Sequence, residues 1–141
     1  MTVPRLAVAA TVALAAALAA APGPARAADV GEEVEVTAGV VTGLACALKA
    51  RETGELRRLT SCPPAEAQKE LVVFDVAEKQ IYRLAAKVVR RSALESAFGG
   101  GSIDFTGKAV QVDEAQGIAT VEVAQFSVAK KPKAGAFKGC L

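Results

Sequence analysis

Glu33-Val34-Glu35-Val36-Thr37-Ala38-Gly39-Val40-Val41-Thr42-Gly43-Leu44-Ala45-Cys46-Ala47-Leu48 is the stretch on which the fold turns. Its even positions are Val34, Val36, Ala38, Val40, Thr42, Leu44, Cys46 and Leu48. Its first odd positions are Glu33, Glu35 and Thr37. A period of two puts alternate side chains on opposite faces, so the even residues are expected to face a core from a β-strand. The run is long for one strand. Gly39 and Gly43 allow it to bend or bulge and serve two halves of a curled sheet.

The segments that follow fill in the architecture. Lys49–Lys69 is polar and holds Thr60-Ser61-Cys62-Pro63-Pro64, so it reads as a long loop with a helical turn at Pro64–Lys69. Leu71–Val76 is a buried-type strand, and Lys79–Leu84 is its hairpin partner across Ala77-Glu78. Ala85–Phe98 fits a helix, with Lys87, Arg91 and Glu95 on one stripe and Val89, Ala93 and Ala97 on another, ended by Gly99-Gly100-Gly101. Ser92-Ala93-Leu94-Glu95 resembles a capping box, and a helix starting there would leave Lys87-Val88-Val89 to extend the preceding strand. Ser102–Val112 and Ile118–Val128 form a second hairpin across Asp113–Gly117.

A long bent strand, two strands, a helix and two strands is the order of an OB-fold. The expected fold is therefore mainly β, a five-stranded Greek-key barrel with one helix between its third and fourth strands. A different small barrel or an open sandwich is the alternative, and a helix between strand pairs argues against the sandwich.

Several of these pieces carry a family resemblance. They are Val34-Glu35-Val36-Thr37, Gly43-Leu44-Ala45-Cys46, the loop residue Cys62, Leu71–Asp75, Gln80–Leu84 and Ile103–Val110. Together they resemble small exported bacterial OB-fold proteins, a poorly characterised family, over roughly residues 33 to 128. The resemblance implies the same barrel. Members carry cysteines and a histidine in the first long loop that could bind a metal or cofactor. Here that loop has Cys62, and the chain has no histidine.

Met1–Ala27 reads as a secretory signal peptide. Arg5 supplies the positive start, and Leu6–Ala21 is an apolar stretch shorter than the roughly 20 residues of a membrane span. Pro22-Gly23-Pro24 breaks it, and Ala25-Arg26-Ala27 suits a signal peptidase. Cleavage would leave residues 28–128 as the barrel domain and 129–141 as a basic tail containing Gly and Lys. No further apolar run is long enough to span a membrane. The expected location is periplasmic or extracellular.

The formal net charge is +2. Arg5 and Arg26 account for all of it, so the processed chain is balanced. That balance, with aromatics at 4%, argues against a nucleic-acid ligand. The charge is unevenly placed, acidic before Lys79 and basic from it onward, and the two halves are expected to neutralise each other across the barrel.

Three cysteines in an exported chain suggest one bridge. Cys46–Cys62 is local and would staple the loop, worth roughly 3 kcal/mol in the chain-entropy account. Cys62–Cys140 is the rival, with the tail folded back over the barrel mouth.

The absence of histidine excludes Ser-His-Asp and Cys-His catalysis. Asp113-Glu114 lie in a turn, Ser61, Ser92 and Ser102 lack a recognisable base, and Gly99-Gly100-Gly101 is followed by no Gly-Lys-Ser/Thr. No catalytic residue, metal site or cofactor is expected. Tyr82, Phe74, Phe105 and Phe126 are expected in the core. Arg83, Lys87, Arg90 and Arg91 form the densest basic cluster, suited to an acidic partner or phosphate, though such runs are more often solvated. The function this supports is a non-catalytic binding module for a protein or small-molecule ligand. The alternative is a structural or assembly protein of the cell envelope.

Overall fold

A computed structural model describes residues Ala28–Lys130. Residues 1–27, the expected signal peptide, and 131–141, Cys140 included, lie outside the described residues. The elements are β1 (Glu33–Gly43), α1 (Leu44–Thr53), α2 (Arg57–Thr60), α3 (Pro64–Lys69), β2 (Leu71–Asp75), β3 (Gln80–Leu84), α4 (Arg91–Ala97), β4 (Ser102–Asp113) and β5 (Ile118–Ala129). The strands close into a barrel in the order β1-β2-β3-β5-β4, and β4 returns to β1. All pairings are antiparallel except β3 with β5. This is the expected OB-fold-like barrel with a helix, α4, between β3 and β4, but three further short helices stand between β1 and β2.

β1 departs from the expected alternation in its middle. Val36 pairs with Phe105 and Gly39 with Ile103, so β1 uses one residue more than β4 over this step. Ala38 takes φ 53 at the bulge. Its N–H donates to Asp104 Oδ1 at 2.6 Å. An extra residue exchanges the two faces of a strand. Val34 and Val36 therefore enter the barrel, and after the bulge it is Val41 that enters, while Val40 and Thr42 face outward beneath the helices.

β1 also ends sooner than expected. Leu44–Leu48 is the start of α1, so Cys46 is on a helix and not on the inward face of a strand. A short Leu/Ala run satisfies both periods, and its helix propensity prevails once the chain leaves the sheet. Gly43 makes the exit close-packed: a Cβ there would meet Glu66 Cβ at 2.8 Å and Cys62 Sγ at 3.1 Å. The expected loop Lys49–Lys69 is thus largely helical, with the turn at Pro64–Lys69 where the sequence placed it.

α4 is shorter than the Ala85–Phe98 expectation. The chain turns through Ala86–Val89 and the helix starts at Arg91. The Ser92…Glu95 capping box does not form, because Arg90 is the N-cap and Glu95 pairs with Arg91 Nε at 2.8 Å. Nor does Lys87-Val88-Val89 extend β3, since the strand stops at Leu84.

Two apolar cores result. The barrel interior packs Val36, Val41, Val73, Tyr82, Phe105 and Val121, with Leu94 and Ala97 of α4 plugging one end. A second core lies outside the barrel wall, where Ala47 and Ala50 of α1 and Leu59 of α2 cover Val72, Phe74, Ile81 and Ile118.

Candidate functional site

OB barrels commonly receive ligands on the outer face of β2 and β3, between the β1–β2 and β4–β5 connections. In this chain the second core occupies that face. Val72, Phe74, Ile81 and Ile118 are all fully buried there. Two ties hold the covering helices, and a third brace meets them at the β4–β5 turn. Cys46 in α1 is bonded to Cys62, just beyond α2, with Cα atoms 5.9 Å apart. Arg51 in α1 reaches the β4–β5 turn, donating from Nη2 to the Gln116 carbonyl and from Nη1 to that of Gly117 at 3.1 Å. Arg83 on β3 pairs with Glu70, lies 3.7 Å from Asp113 and donates to Gln116 Oε1 at 3.4 Å.

The expected basic cluster is therefore divided by the fold. Arg83 is half-buried within the β4–β5 brace. Arg91 links α4 to α3, donating to the carbonyls of Ala67 and Gln68 at 2.8 and 2.9 Å. Lys87 and Arg90 are exposed, and among the described residues neither has an ion-pair or hydrogen-bond partner from its side chain.

The aromatic residues divide as well. Phe74 and Phe105 are buried, and Tyr82 packs edge-on against Phe105 with ring centroids 6.0 Å apart. Burial, reinforced by Asp75, Glu32 and Glu78, pushes the Tyr82 phenol up to about 12, so it is neutral at physiological pH. Phe126 departs from expectation, because it is 39% exposed. It sits opposite Phe105 on β4, and Val128 sits opposite Ile103. Directly paired residues share a face. Phe126 and Val128 thus continue the inward apolar face past the point where the barrel wall stops.

That point is sharply defined. β3 pairs with β5 only over Ile118–Val121, and the Ala85 N–H adds one bond to the Val121 carbonyl. From Glu122 to Ala129, β5 pairs with β4 alone among the described residues. Beside this edge is a groove of about 500 Å³, lined by Val88, Arg90, Ala93, Phe126, Val128 and Lys130, with Ser92 and Ser96 on its helical wall. Val88 is 44% exposed. Of the expected basic cluster only Arg90 lines this groove, and sequence reasoning missed its apolar floor. Its signal was the unequal length of the strands: β5 is long and nearly uncharged, whereas β3 is short.

Of the other hollows among the described residues, two differ in character from this groove. One lies over the outer faces of β1, β4 and β5 around Glu33, Glu35, Glu122 and Lys108. The other lies beside the disulfide, between Lys49, Arg58 and Glu66. Among the described residues there is no cluster of three or more Cys, Asp or Glu side chains arranged to hold a metal ion. No helix of the described residues is long and apolar enough to cross a membrane. Compared with protein-family models, curated proteins and solved structures, the chain matches none.

Proposed function

We propose that this chain is an exported, non-catalytic OB-fold binding module. It is released from its leader after Ala27 and works through contact with a protein or small-molecule ligand outside the cytoplasm. The observation that carries this reading is the covered β2–β3 face. An apolar surface that other OB barrels use for nucleic acid is here sealed by the chain's own α1 and α2. The open apolar surface lies instead at the end of β5. A balanced charge after processing supports the same exclusion of nucleic acid. The Cys46–Cys62 bridge supports export, because such bonds persist in oxidising compartments.

The test is made on protein recovered from the cells that produce it. Its intact mass is expected to lack Met1–Ala27 and to be lower by the hydrogens of one disulfide. The processed chain is expected to show no salt-dependent binding of a single-stranded oligonucleotide. Retention of Met1 with all thiols reduced, or tight salt-sensitive oligonucleotide binding, would overturn the reading.

A further inference from the structure

We infer that the open edge of β5 is a docking site for an extended peptide segment of a partner protein, one that alternates apolar with acidic residues and adds to the sheet as a strand. The inference rests on the binding-module reading and gives it a surface and a partner chemistry.

Three independent observations converge on the groove. The first is the backbone. A strand sends alternate N–H and C=O groups to either side. Between Glu122 and Ala129 those pointing away from β4 have no backbone partner among the described residues. Folded chains usually protect such an edge with charge, proline or a covering element. Val123-Ala124-Gln125-Phe126-Ser127-Val128-Ala129 contains no charge and no proline. Strand addition satisfies the open groups directly.

The second observation is the floor. Phe126 and Val128 on β5, with Val88 and Ala93 opposite, form an apolar base that a strand's alternate side chains would cover. Val88 and Phe126 are among the few large apolar side chains exposed on the described surface.

The third is charge. Arg90 lines one side of the groove and Lys130 the end, while Lys87 stands on the adjoining turn. None of the three has an ion-pair partner among the described residues. Acidic side chains on the incoming strand would meet them. The chain's own continuation past Lys130 carries Lys131, Lys133 and Lys138, so its charge is the wrong sign for this groove. A second copy of the chain would bring the same cations to the contact.

The experiment uses the processed chain, Ala28–Leu141, and a fluorescent probe, Ac-Val-Glu-Val-Asp-Phe-Glu-Val-amide. Its charge-reversed counterpart, with Lys at each acidic position, is the control. Anisotropy is expected to show saturable binding of the acidic peptide, about tenfold weaker or worse for the basic one. Phe126→Ser and Arg90→Glu should each weaken the acidic probe by about tenfold. Both positions are exposed, and unchanged circular dichroism confirms the fold. N-methylation of alternate peptide amides should abolish binding in one phase and spare it in the other, because only one set faces β5. On binding, the Glu122–Ala129 amides should slow in hydrogen exchange.

Four results would overturn the inference. Binding indifferent to both substitutions would place the peptide elsewhere and leave the binding-module reading standing. Equal binding of the two peptides would remove the charge argument. Protection of the β5 edge in the free chain, lost when residues 131–141 are deleted, would make the tail the occupant. Concentration-dependent dimers abolished by Phe126→Ser would make the occupant a second copy.

Discussion

Arg51, on the first helix, grips the turn between β4 and β5 by donating from its two terminal nitrogens to the consecutive carbonyls of Gln116 and Gly117. The two elements are far apart in sequence, and the contact joins the helical cover to the barrel. A guanidinium suits this task because its planar fork presents parallel donors. The helical cover is thereby fastened at the end distant from the disulfide. The Cys46–Cys62 bond ties the helical segment to itself, Arg51 ties it to the barrel, and between the two it packs on Val72, Phe74 and Ile81.

Arg51→Ala should therefore destabilise the fold by about 1–2 kcal/mol, the usual range for partly exposed hydrogen bonds from a charged group. Urea denaturation would measure it. Arg51→Lys should recover only part of the loss, since an ammonium cannot span both carbonyls in the same way.

The β1 bulge makes an opposite pair of predictions. Ala38 holds a left-handed backbone that L-residues disfavour by about 1–2 kcal/mol. Ala38→Gly should be neutral or stabilising by up to about 1 kcal/mol. Asp104→Ala should cost about 1 kcal/mol by leaving the Ala38 N–H without its partner. Gly39→Ala should be worse than either, because the new Cβ would stand 2.5 Å from Val73 Cγ1 and 2.9 Å from Val36 Cγ1. Overpacking of this kind typically costs about 1–3 kcal/mol. Melting curves of the three variants give the order directly.

These positions also show where the sequence was legible and where it was not. Both hairpins and the helix-between-strands order could be read, because Leu71–Asp75, Ile103–Ala109 and Ile118–Val123 carry apolar side chains in strand-like runs bounded by turn formers. The bulge could not be placed. Gly39 marked a bend, but the residue that turns left-handed is Ala38, whose side chain announces nothing. α1 was hidden because Leu44-Ala45-Cys46-Ala47-Leu48 alternates as well as it coils. Arg83 and Arg90 are close in sequence and similar in type. Only tertiary structure gives one to Glu70 and leaves the other facing a groove. The Cys46–Cys62 pairing was legible from proximity in sequence, although the expected strand setting of Cys46 was wrong.

The disulfide should carry much of the cover's stability. Cys62→Ser is expected to cost about 2–4 kcal/mol. Non-reducing peptide mapping should recover Cys46 linked to Cys62, with alkylation of Cys140 under native conditions. A linked peptide containing Cys140 would contradict the assignment.

Tyr82 offers a clean optical probe, because the chain has no other tyrosine and no tryptophan. Absorbance titration should show phenol ionisation near 12 in the folded protein, against about 10 when unfolded. The raised value means that the folded state retains its proton over this window while the unfolded chain loses it. The stabilisation is complete below about pH 10 and is lost as pH rises towards 12. Phe105→Ala should move the titration towards the ordinary value by admitting solvent beside the ring.

Residue-level hydrogen exchange on the oxidised chain from Ala28 onward tests the central claim most directly, namely that this barrel has closed its β2–β3 face and left its β5 edge open. The account predicts strong protection of the α1 amides around Ala47–Ala50 and of Val72–Phe74, together with rapid exchange at alternate amides between Glu122 and Ala129. Rapid exchange through α1, with every amide of that β5 segment protected, would contradict it.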